Sequence, residues 1–169
     1  MNFPLLKTGL ILDVNNLYFA VQSKYGKRKL QITEYVRFLE KLGHTFVYKI
    51  AYSRQEADAV PGFVALLKNN GFEANFGNKH WGTAMALRAA DIVPNVDCFI
   101  LGTNFPDAAR ILQWAKEKGK ITKCFALSIP PFFKQHAECL EIPPEILSSE
   151  AVIPTKPMEL PADRSSDAV

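Results

Sequence analysis

Apolar positions along the chain follow two spacings. Continuous apolar runs at Thr8–Leu12, Thr45–Ala51, Phe72–Phe76, Val96–Leu101 and Ile121–Leu127 read as buried strands. Between them, apolar residues recur at helical spacing. Ile32, Val36, Leu39 and Leu42 share one face, with Thr33 placed to cap the helix and Gly43 to end it in a left-handed conformation. Phe63, Val64 and Leu67 predict a second helix that ends at Gly71. Met85, Ala89 and Ile92 predict a third, capped by Thr83 and stopped before Pro94, since proline lacks the amide and clashes with the preceding turn. Ile111, Leu112 and Ala115 predict a fourth, with Pro106 in its first turn and Gly119 just beyond its end. Strands alternating with helices predict an α/β fold: a three-layer sandwich with a mainly parallel five-stranded sheet and helices on both faces.

Composition sets the domain count. At 169 residues, 48% hydrophobic and 22% charged, the chain has room for one domain with a real core, expected over residues 1–147. Seven of the eleven prolines lie between Pro130 and Pro161, so a small edge element at Ala137–Ile142 is the last structure expected. Residues 148–169 mix Pro, Ser, Ala and scattered charges, too little apolar surface to offset ordering entropy, and read as a flexible tail that could dock on a protein partner.

Three cysteines, Cys98, Cys124 and Cys139, match neither a zinc nor a CxxC spacing and read as reduced, mostly buried thiols. The start, Met1 to Leu12, contains Lys7 and runs into Asp13 with neither a cleavage site nor a bilayer-spanning length, which predicts a cytoplasmic protein without membrane contact. A net charge of +3 permits a nucleic-acid partner without demanding one. Lys24, Lys27, Arg28 and Lys29, around Tyr25 and Gly26, read as a loop that either faces phosphate or is simply solvated.

Chemistry in such folds gathers at the carboxyl ends of the strands, where strand order reverses. Three segments fall there: Asp13-Val14-Asn15-Asn16-Leu17, Gly102-Thr103-Asn104-Phe105-Pro106-Asp107, and Asn78-Lys79-His80-Trp81-Gly82-Thr83. An acid ending a central strand stays ionised only beside a cation, a donor or water, so Asp13 is a site candidate, or else it caps the following turn. Asp107 lies in the first turn of a helix, where the macrodipole alone favours a negative charge. Lys79 and His80 are placed to meet phosphate or to be plain surface residues. Trp81 and Phe105 either stack on bases or belong to the core. His44 and His136 form no ligand set with His80, which argues against zinc.

These residues resemble the NYN domain family, a PIN-like ribonuclease fold. Asp13-Val14-Asn15-Asn16-Leu17 is similar to the family's D-x-x-N-L opening, and Val96–Asn104 to its strand and turn; Lys79–Leu87 is similar to its entry into the third helix. The resemblance spans about Thr8 to Ile142 and implies a ribonuclease whose aspartates hold magnesium or manganese to activate water at a phosphate. It implies metal and catalytic roles for Asp13 and Asp107; the candidate nucleic-acid contacts are Asn16, Lys79, His80, Arg88, Thr103 and Asn104. Three positions depart from the pattern: Gly82, Arg88 and Phe105 stand where acids are expected. An arginine there would oppose a cation and could instead pair with Asp13 or Asp107, or grip phosphate.

The expected function is therefore a catalytically weakened NYN domain that binds nucleic acid, RNA before DNA, or a protein. The alternative is an active magnesium- or manganese-dependent endoribonuclease cleaving single-stranded RNA. A nucleotide binder on a Rossmann-like sheet is weaker, because no strand is followed by GxGxxG or a P-loop.

Overall fold

The computed structural model describes residues 4–148. Among these residues the chain forms β1 (Leu6–Asp13), α1 (Val14–Tyr25), α2 (Ile32–Lys41), β2 (His44–Ser53), α3 (Pro61–Asn69), β3 (Glu73–Phe76), α4 (Trp81–Ile92), β4 (Cys98–Gly102), α5 (Ala109–Glu117), β5 (Ile121–Ala126) and β6 (Glu138–Glu141), with short 3-10 turns between them. The tail expected from 148 onward lies, beyond Ser148, outside the described residues.

The sheet has the order β3-β2-β1-β4-β5-β6, and every pairing is parallel. It therefore has six strands where five were expected, because the edge element near Ala137 pairs fully with β5. A parallel sheet is covered on both faces, which explains why its central strands read as unbroken apolar runs. β1 is buried from Thr8 to Asp13 and β4 throughout. A methyl group added at Gly9 would touch Ile92 of α4, whereas one at Gly102 would meet Tyr35 of α2 and Leu17 of α1. Helices thus cover both sides, giving the three layers.

The fit at Gly102 is close. An added Cβ would lie 2.6 Å from Leu12 Cδ2 and 2.8 Å from Tyr35 Oη. That space lets the buried Tyr35 hydroxyl donate to the Phe125 carbonyl at 2.7 Å while the two rings lie 4.4 Å apart. Burial, with Cys124 nearby acting in the same direction, pushes the Tyr35 hydroxyl well above its ordinary pKa.

Three local expectations change. Helix α1 was not foreseen: Val14, Leu17, Ala20 and Val21 form its buried stripe, but apolar Phe19 on the outer side blurs the pattern. Thr33 and Thr83 are not caps. Helix α2 begins earlier, with Tyr35 donating to the Gln31 carbonyl at 2.9 Å, and α4 begins at Trp81, with Ala84 donating to the His80 carbonyl at 3.0 Å. Pro106 opens a 3-10 turn, Pro106–Ala108, which feeds α5.

The basic loop after α1 is strapped down. Arg28 donates to the Ser148 carbonyl at 2.8 Å and the Pro144 carbonyl at 2.7 Å, Leu30 bridges Leu147, and Lys29 and Ser148 exchange backbone and side-chain bonds. Arg28 is thus turned toward the C-terminal segment. The three cysteines are free; burial pushes the Cys98 and Cys124 thiols up to about 12, which leaves them unreactive. Among the described residues, no helix is long and apolar enough to cross a membrane.

Candidate functional site

Strand order reverses between β1 and β4, so their carboxyl ends open a crevice. Asp13 is the last residue of β1 and the N-cap of α1, with extended backbone, φ −94° and ψ 91°. Its carboxylate is 1% exposed and occupied. One oxygen accepts from the Asn16 amide at 3.4 Å; the other accepts from the Asn16 side-chain amide and from Thr103 Oγ1 at 2.8 Å. Thr103, itself fully buried, also accepts from the Phe105 amide at 3.1 Å, which ties the turn after β4 to β1. Burial raises the Asp13 pKa above 3.8; the Asn16 and Thr103 hydrogen bonds and the charge of Arg54 oppose this without cancelling it.

The cation whose charge reaches Asp13 is Arg54, a residue of the crevice wall that the sequence did not single out. Arg88 was the sequence's candidate for that place. Instead its guanidinium pairs with Glu73 at 2.9 Å and with Asp91 at 3.8 Å, because α4 turns that side chain toward β3. The signal for Arg54 was present in the Ser53-Arg54-Gln55 sequence that ends β2, a third strand end on the same edge.

Asp13, Asn16 and Thr103 come together, and the other candidates do not join them. Asn104 is half-buried in the turn. Asp107 is exposed and lines a separate groove between α4 and α5 with Arg110, Met85 and Ala108. Lys79 and His80 are exposed ahead of α4 and line neither this groove nor the crevice.

The crevice holds a cavity of about 260 Å³, walled by Asn15, Asn16, Phe19, Arg54, Gln55 and the Trp81–Phe105 pair. Trp81 is buried core: Arg54 lies over its ring at 5.5 Å, and Phe105 meets it edge-on at 5.3 Å. The aromatic ring open to solvent is Phe19, 54% exposed.

A hydrated magnesium or manganese ion needs accessible oxygen ligands and a local excess of negative charge. Here the central carboxylate is buried and fully engaged, the charge that reaches it is that of an arginine, and Asp107 faces another groove. Among the described residues, no three His, Cys, Asp or Glu side chains converge to hold a metal. The donor set does not fit the ion that the resemblance implies.

The six-stranded parallel α/β sandwich, with an aspartate capping its first helix at the switch point, agrees with the PIN-like, nuclease-type fold that an NYN domain implies. The profile of the NYN domain matches residues 7–141, and the chain belongs to the NYN domain family. No curated relative matches it. A solved structure similar to it is the crystal structure of a protein of unknown function, VPA0982, from Vibrio parahaemolyticus RIMD 2210633. The two share 18% identity and a TM-score of 0.75 over 88% of this chain and 99% of that one, a likeness of fold.

Proposed function

We propose that this NYN domain binds single-stranded RNA and has lost most or all metal-dependent cleavage. The observation that carries the reading is Arg54 in the wall of a crevice whose one central carboxylate, Asp13, is buried and internally hydrogen-bonded. Among the described residues Arg54 makes no ion pair, so its guanidinium is available to a phosphate at the crevice mouth. Asp13 then serves structure: it caps α1 and ties β1 to the turn at Thr103. Exposed Lys79 and His80, ahead of α4, add sites for the flanking backbone.

The test is incubation of the purified protein with labelled single-stranded RNA in manganese, magnesium or EDTA, beside Asp13→Asn and Arg54→Ala. Expected are intact RNA in every tube, retention by the wild type, and retention reduced in Arg54→Ala. Cleavage that needs metal and vanishes in Asp13→Asn would replace this reading with an active endoribonuclease.

A further inference from the structure

Two side-chain amides in the cavity wall are held in one orientation each. Asn15 Oδ1 accepts from Ser53 Oγ at 3.1 Å and from the Arg54 amide at 2.8 Å, so its Nδ2 remains a donor. The Asn16 Nδ2 is committed to Asp13, so its Oδ1 remains an acceptor. Consecutive residues of α1 thus present one fixed donor and one fixed acceptor. Gln55 stands beside them with its backbone tied to Ser53 and Gly77, and its side-chain amide has no partner among the described residues. Phe19 offers an exposed ring, and Arg54 a planar guanidinium that lies over the Trp81 ring at 5.5 Å.

The complement of such a cavity follows by elimination. An aliphatic group would leave the amides unpaired, at a cost typical of buried unsatisfied polar groups. A cation would be repelled by Arg54. An anion would find one guanidinium but also the Asn16 oxygen. A neutral planar ring with a donor and an acceptor along one edge satisfies every wall at once. The volume, about 260 Å³, lies just below the usual range for drug-sized ligands, about 300–1,000 Å³, and suits one ring system.

We infer that the cavity receives a single unstacked nucleobase, lodged against Phe19 and Arg54 and hydrogen-bonded along its edge by Asn15, Asn16 and Gln55. The inference rests on the nucleic-acid reading above and sharpens it: a base in a duplex cannot enter, so the site selects single strands. The base can come from a strand or from a free nucleotide.

The experiment compares a single-stranded ribo-oligonucleotide with an abasic strand of the same length, by fluorescence anisotropy, on wild type, Phe19→Ala and Gln55→Ala. Phe19 is largely exposed, so its truncation spares the core. The full strand is expected to bind wild type more tightly than the abasic one, and Phe19→Ala to weaken the full strand by roughly 5- to 150-fold, the range for one stacked base, while leaving the abasic strand unchanged. Nucleoside monophosphates form the second arm, read by Trp81 emission in a Trp114→Phe background, since the chain has two tryptophans. Equal binding of full and abasic strands overturns the base site and leaves the RNA reading standing. Phe19-dependent binding of monophosphates without strand binding keeps the base site, with free nucleotide as its source, and overturns the RNA reading. Binding of neither overturns both.

Discussion

At the residue scale, two buried titratable groups impose opposite pH slopes on stability. The Asp13 carboxyl is raised above 3.8 because burial outweighs its hydrogen bonds, so the folded state holds its proton more tightly than the unfolded chain does. Its favourable contribution is complete below 3.8 and is lost as pH rises through the folded value. His44 is 2% exposed; its Nδ1 pairs with Thr8 Oγ1 at 2.9 Å, and its Nε2 has no partner. Burial, with Lys123 nearby, lowers its pKa below 6.5, although Glu138 opposes this. That contribution is present above 6.5 and lost as pH falls below it. Urea midpoints measured from about pH 3 to about pH 8 should therefore show Asp13→Asn removing a loss of stability on the rising limb, and His44→Gln removing a loss below 6.5. A parallel displacement of the Asp13→Asn curve at all pH values would mean that Asp13 does not titrate differently in the fold.

At the scale of elements, the site depends on how closely α2 approaches β4. Gly102 lies directly before Thr103, the hydroxyl that holds Asp13, and has no room for a Cβ against Leu12 and Tyr35. Gly102→Ala should cost about 1–3 kcal/mol through overpacking, measured by chemical denaturation. The same substitution should shift the NMR resonances of Thr103 and Asn16 more than those of the distant β6. A neutral Gly102→Ala would mean that Tyr35 can withdraw without loss. The apolar run Val96–Leu101, which leads into Gly102, was legible as a strand, whereas the contact of Gly102 with Tyr35 was not, because it joins residues far apart in the chain. Helix α1 shows the reverse difficulty. Its buried stripe is present in the sequence, but the amides Asn15 and Asn16 at its start and apolar Phe19 on its outer side blurred the helical spacing.

At the scale of the whole molecule, the segment from Pro144 to Ser148 closes the fold across the start of α2. Ile146 and Leu147 are buried there with Leu30, and Arg28 reaches across to hold the segment by two carbonyls. Arg28→Ala should raise hydrogen exchange at the Gln31 and Ser148 amides, which bond to Ile146 and Lys29, while leaving the global unfolding midpoint nearly unchanged. Unchanged exchange would show that burial of Leu147 alone holds the segment.

The sequence by itself determined the alternation of strands and helices, the α/β layering, and the position of Asp13 at a strand end, because apolar periodicity is a local property read residue by residue. It also carried the family resemblance over nearly the whole matched span. Tertiary structure alone decided which cation's charge reaches that carboxylate. Arg54 and Arg88 follow different strands and differ little in sequence context, but β2 delivers one to the crevice while Glu73 on β3 neutralises the other. It also decided that Asp13 is satisfied from within, since Thr103 arrives from a strand 90 residues away. Charge pairing and burial depend on distances that only the folded chain defines.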